Sequence, residues 1–244
     1  GPVRENNEDF MRIDEDNGVF LVADGMGGHA YGEVAAEVAV DVVHRVLLQE
    51  REDPDETRLM RDVDVDDPAD RLRERLRYAM NQASIAIRQR AARMQGADDM
   101  GTTVVVLVVE EEQAHIAHVG DSRAYLFRGG RLQRLTRDHT VVQQEIDAGR
   151  LTPELARLVP HKNILTQSVG FHGPVEPDTS TRVMVPGDLF ILCSDGLTDA
   201  LDDEAIARIA TEQPSDMLAD ALVEASIAAG GEDNITVLTV AVIR

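Results

Sequence analysis

The stretch "TTVVVLVVEEEQAHIAHVGDSRAYLFRGGRLQRLT" (residues 102–136) sets β-branched and apolar runs between the short breaks "EEEQ", "GDS" and "RGG". Such runs favour strands. Turns this short join antiparallel neighbours, because a parallel crossover needs about a dozen residues or more. Outward from it, "GVFLVAD" (18–24) is a further apolar run entered through the turn signal "EDNG", and "TRVMVPGDLFILCSD" (181–195) reads as another hairpin. "NITVLTVAVI" (234–243) is the last strand.

Helical spacing of apolar residues appears in "EVAAEVAVDVVHRVLLQE" (33–50) and in "DRLRERLRYAMNQASIAIRQRAARMQG" (70–96), which should end near Gly96. Two shorter helices, "DDEAIARIATEQ" and "SDMLADALVEASIAAG", precede the final strand. The acidic stretch 51–70 reads as a solvated connection, and residues 138–165, helical and polar, as an inserted flap. Strands grouped in hairpins and helices grouped in blocks indicate a layered α+β fold with antiparallel sheets. Without a repeat or a low-complexity linker, residues 1–244 read as a single domain.

The net charge of -21, from 24 basic and 45 acidic residues, disfavours nucleic acid and anionic lipid as partners. It leaves carboxylates for hard cations. The single cysteine, Cys193, rules out an internal disulfide and a multi-thiolate zinc site, and it fits a cytoplasmic setting. No apolar run reaches the length of a membrane span, so this stretch of chain has no membrane segment of its own, while a parent protein extending past its ends could carry an anchor. Lys162 is the only lysine.

The glycine-rich stretch "VFLVADGMGGHAYGE" (19–33) first suggests a phosphate loop. It lacks the Lys-Ser/Thr of a P-loop and the βαβ setting of a dinucleotide fingerprint. A different pattern recurs. Asp24 follows "VFLVA", Asp121 follows "AHIAHVG", Asp195 follows "LFILCS", Asp233 precedes "NITVLTV", and Asp9 lies in "RENNEDF". One aspartate at a strand end is ordinarily a turn residue. Five converging on one rim of antiparallel sheets would repel each other unless cations lay between them. Oxygen-only ligands suit Mg²⁺ or Mn²⁺. His115 and His118 in "AHIAHVG" and Cys193 in its apolar strand read as structural, and "DEDNG" (14–18) reads as a hairpin turn rather than a calcium loop.

"VRENNED", "VADGMGGHAYGE", "GTTVVV", "HVGDSRAYLFRGGRLQRLTRDHT", "ILTQSVG", "FILCSDGLTDAL" and "GGEDNITV" stand in an order that resembles bacterial metal-dependent Ser/Thr protein phosphatases of type 2C. The resemblance implies a four-layer α-β-β-α sandwich, two central antiparallel sheets flanked by helices. It implies hydrolysis of phosphoserine and phosphothreonine by direct attack of a hydroxide bridging two Mn²⁺ or Mg²⁺ ions, with a weaker third ion. Asp24 would bridge the two ions and the Gly25 carbonyl would join it, Asp195 and Asp233 completing the first ion's shell. Glu8 and Asp9 would form the acidic pair beside them. Asp121, Asp195 and Asp199 would hold the third ion, Arg4 the substrate phosphate, and His29 would be the general acid. The implied partners are phosphorylated proteins, a bacterial Ser/Thr kinase and its substrates, met by a monomer. The alternative is a catalytically silent phosphoprotein-binding domain of the same fold. The pattern departs at the N-terminus, where little chain precedes Arg4 and the family has an opening strand.

Overall fold

The computed structural model describes residues 3–243 apart from residues 5, 28–30, 53–67, 98, 157, 161 and 172. The first sheet has the order β1 (Asp9–Asp14), β2 (Val19–Met26), β4 (Val104–Glu110), β5 (Gln113–Val119), β8 (Asp178–Val183), with the two-residue β3 (Gly101–Thr102) pairing the end of β2. The second has the order β10 (Val237–Ala241), β9 (Leu189–Cys193), β6 (Arg123–Arg128), β7 (Arg131–Arg134). The pairings within both sheets are antiparallel.

Strand alternation sends neighbouring residues into different layers. On β2, Val19, Leu21 and Ala23 face the helices α1 (Tyr31–Glu52) and α2 (Pro68–Ala91), while Phe20 and Val22 face the second sheet. On β9, Phe190 and Leu192 meet that inter-sheet layer. Leu189, Ile191 and Cys193 face a third apolar cluster formed with α5 (Asp195–Ala200), α6 (Asp203–Glu212) and α7 (Leu218–Ala228). Both faces of each sheet are covered, so central strands read as unbroken apolar runs although the sheets are antiparallel. The result is the expected α-β-β-α sandwich.

Two expected hairpins are instead sheet crossings. β5 and β6, separated by "GDS", do not pair: β5 lies between β4 and β8, and β6 between β9 and β7. β8 and β9 within 181–195 likewise belong to different sheets. A short linker can hop between stacked sheets as readily as it can reverse within one, since their spacing is only about 10 Å. Gly120, at φ +101°, makes the first hop.

Three further differences are local. The strand β1 pairs along its length with β2 through the expected 14–18 turn, its polar sequence having concealed it. A separate helix α5 begins at Asp195, and α2 ends at Ala91, before Gly96. Residues 138–165 contain two short helices, α3 (Val141–Asp147) and α4 (Pro153–Ala156). Of the acidic stretch 51–70, residues 53–67 lie outside the described residues. Among the described residues no helix is long and apolar enough to cross a membrane.

Candidate metal centre

The register of β1 against β2 sets Asp9 directly opposite Asp24. Asp24 shares the parity of Phe20 and Val22, so it stands at the rim of the layer between the sheets. Asp121 reaches the same rim from the Gly120 crossing, Asp195 opens α5 just past β9, and Asp233 lies on the approach to β10. An open cleft of about 620 Å³ there is lined by Arg4, Glu8, Asp24, Asp121, Asp195 and Asp233, with Gly25 and Thr103 in its wall.

The glycines after Asp24 and Asp195 have a backbone reason. A Cβ on Gly25 would stand 2.0 Å from the Gly32 carbonyl oxygen and 2.7 Å from that of Glu8. A Cβ on Gly196 would stand 1.9 Å from the Asn234 carbonyl oxygen. In each case a second acidic segment is drawn in against the residue following an aspartate. Neither glycine has a positive φ, so close approach rather than chain reversal is what each supplies. Glu8 completes the first contact: its carboxylate lies against Gly32 in the first turn of α1, where the helix dipole favours negative charge.

The side-chain network is polar and crowded. Ser194 Oγ donates to Asp9 Oδ2 at 2.8 Å, whereas Asp9 Oδ1 is buried without a hydrogen-bond partner among the described residues. Thr103 Oγ1 accepts from the Asp24 amide at 3.0 Å and lies 2.7 Å from Ser122 Oγ. Burial, then the charges of Asp195 and Asp9, hold Asp24 well above the usual carboxylate range. Burial and then Asp195 do the same to Asp121. Burial, followed by Asp199, pushes Asp195 up to about 7. Carboxylates in mutual conflict and an orphaned buried oxygen form a donor set that fits hard divalent cations.

Arg4 lines the cleft with its guanidinium 2.8 Å from Asp233. Asp199 does not line the cleft. It lies one helical turn after Asp195 on α5, and Asn163 Nδ2 donates to one oxygen of each at 3.1 Å. Lys162 Nζ donates to the other oxygen of Asp199 at 2.7 Å. The helix cap that could have explained Asp199 belongs to Asp202, whose side chain accepts from the Ala205 amide. His29 lies outside the described residues.

Sequence reasoning passed over Asn163, Lys162, Ser194 and Ser122. Asn163 sits one residue before the recognised "ILTQSVG", and nothing about its own surroundings in the chain marks it. His118, His139 and Asp178 form a group of metal-ligating type, with ligand atoms within 4.8 Å of each other. The two imidazole rings stack 24° from parallel, so their in-plane lone pairs do not converge on one ion. As expected, His115 and Cys193 are buried in strands, with His115 beside Thr181.

The fold and this cluster define a protein of two stacked antiparallel sheets with a carboxylate-rich cleft suited to hard divalent cations. The family model "Protein phosphatase 2C" matches residues 3–229. Serine/threonine protein phosphatase PstP of Mycobacterium tuberculosis is 33% identical over all of this chain, which spans 43% of that protein's length. A putative protein phosphatase 2C-type of Streptococcus pyogenes is 36% identical, over 98% of this chain and 93% of its own. A crystal structure of the Mycobacterium tuberculosis phosphatase PstP/Ppp superposes with a TM-score of 0.85 at 33% identity, covering 99% of this chain and 94% of that one. A PstP catalytic domain in complex with two manganese ions gives 0.79 at 32%, with 99% and 94% covered. The chain belongs to the protein phosphatase 2C family.

Proposed function

We propose that this chain hydrolyses phosphoserine and phosphothreonine in proteins at the carboxylate cleft. The observation that carries the reading is the meeting of Asp9, Asp24, Asp121, Asp195 and Asp233 at one rim, with a buried, unpartnered Asp9 oxygen and Arg4 at the mouth. Asp24, Asp195 and Asp233, with Glu8, Asp9 and the Gly25 carbonyl, would hold two Mn²⁺ or Mg²⁺ ions. Asp121, Asp195 and Asp199 would hold a weaker third. Such ions supply activation of a water and charge neutralisation for the phosphate.

The chain's own residues do the rest. Arg4 is exposed, so its planar fork is available to orient phosphate oxygens as well as to pair with Asp233. The Asp24 backbone is pinned by Thr102 and Thr103, which hold its carboxylate in place before substrate arrives. His29 is proposed to protonate the leaving serine or threonine oxygen. The open cleft suits a phosphorylated side chain on a protein surface, and residues 138–165 serve as a flap on a single catalytic domain. Phosphoproteins generated by a bacterial Ser/Thr kinase are the proposed partners of the whole protein.

Hydrolysis of p-nitrophenyl phosphate and a phosphothreonine peptide, with Mn²⁺ or with EDTA, tests this reading. Turnover should require the metal, and Asp24→Ala should abolish it along with tight Mn²⁺ binding. Asp121→Ala should keep two tightly held ions yet need more Mn²⁺ for half-maximal peptide hydrolysis. Full turnover in EDTA would refute the metal role. Stoichiometric Mn²⁺ binding without turnover would favour the silent phosphoprotein-binding alternative.

A further inference from the structure

The position of Asp121 depends on the turn that carries the chain from β5 to β6. Gly120 leaves β5 at φ +101°, and a Cβ there would meet Thr103 at 2.6 Å. On the far side, Ser122 is tied through Thr103 to the Asp24 amide. On the near side both peptide groups of Gly120 are taken by one residue, His139. Its backbone N–H donates to the Gly120 carbonyl at 3.0 Å, and its ring Nδ1 accepts the Gly120 N–H at 3.2 Å.

That second bond defines the tautomer. An amide N–H only donates, so Nδ1 bears the lone pair and the proton sits on Nε2, 3.5 Å from Asp178 Oδ2. Gln167 agrees: its Oε1 accepts from the Glu176 amide, which turns its NH₂ towards Nδ1 at 3.2 Å. The His139 carbonyl accepts from Thr166, and the His118 ring stacks on the His139 ring with centroids 4.8 Å apart. His139 is thus held by Thr166 and Gln167 just past the 138–165 segment, by β8 and by β5, and it passes that order to the residue before Asp121.

We propose that His139 is a positioning residue for Asp121: its unprotonated Nδ1 substitutes for a strand neighbour and clasps the Gly120 amide, setting the aspartate for the weak cation. This rests on the third-ion reading above. The test uses His139→Leu, which removes the acceptor, and His139→Asn, whose Oδ1 falls close to the position of Nδ1.

Calorimetric Mn²⁺ titration and amide hydrogen exchange of Gly120 in the metal-free protein are the readouts. His139→Leu should weaken the weak site about ten-fold, the scale of one lost hydrogen bond, and leave the two tight ions alone. It should also speed Gly120 exchange by a similar factor, and His139→Asn should restore most of both. Unchanged weak-site affinity with unchanged exchange in His139→Leu would overturn the proposal. So would His139→Asn behaving like His139→Leu, since ring packing and not the acceptor would then matter. If the wild type binds only two ions, the third-ion reading and the role assigned to Asp121 fall. The exchange measurement would still decide the Gly120 clasp.

Discussion

At the scale of single residues, the two Asp-Gly pairs obey one rule. Asp24-Gly25 and Asp195-Gly196 each carry a carboxylate followed by a residue whose missing side chain lets another backbone carbonyl approach. A methyl group at either glycine would have to displace main chain, which does not yield as a flexible side chain does. Gly25→Ala and Gly196→Ala should each lower stability by roughly 3 kcal/mol or more, as read by urea unfolding of the metal-free protein. A loss below about 1 kcal/mol would show that the approach relaxes easily. Asp24, Asp121, Asp195 and Asp233 were legible because each stands beside an apolar run, and Asp9 because it lies in the motif "VRENNED". Asn163 and Lys162 were not, because their role exists only where the 138–165 segment meets α5.

At the scale of elements, that meeting has a functional consequence. The chain's only lysine and the neighbouring asparagine donate to Asp195 and Asp199, the carboxylates proposed for the weak ion. An ammonium and a divalent cation cannot both neutralise one carboxylate at full strength. Lys162→Met should therefore lower the Mn²⁺ concentration for half-maximal rate, by about two- to five-fold for a half-exposed pair. Paired calorimetry would locate the gain at the weak site. A higher Mn²⁺ requirement in Lys162→Met would mean that the lysine organises the carboxylates rather than competing for them. The existence of α1 and α2 was readable from apolar spacing, though not the end of α2, whereas β1 was hidden because only one strand pairs it and, past the buried Asp9, its residues alternate between half-buried and exposed.

At the scale of the molecule, the sandwich has a site end and a far end. Asp188 belongs to the far end, in the turn carrying the chain from β8 to β9. Its fully buried carboxylate accepts two bonds from Arg128 at 2.6 Å and one from the Val185 amide at 2.8 Å. Burial opposes the charge, yet the Arg128 and Val185 donors hold its carboxyl below the usual range. A lowered folded-state pKa contributes stability above the unfolded pKa, lost as pH falls through the folded one. Asp188→Asn should cost about 2 kcal/mol near pH 7. The gap from wild type should begin to narrow below about pH 4, where the unfolded chain's carboxylate takes up its proton, and go on narrowing as pH falls towards the lower folded-state pKa. Turnover per folded molecule should not change, since this end carries none of the cleft. An equal loss at pH 3 and pH 7 would place the effect in packing rather than charge.

The class was legible in the sequence alone: oxygen donors at strand ends, strands and helices grouped in blocks, and motifs standing in a family's order. These are local properties, carried by residues that need no distant partner to be recognised. Which strands pair was decided by the tertiary structure. The breaks "GDS" and 184–188 are short enough either to reverse within a sheet or to hop across the inter-sheet layer. The hop wins because it buries Ala124, Leu126, Phe190 and Leu192 against the first sheet. That burial energy belongs to both sheets together and to neither segment of sequence alone.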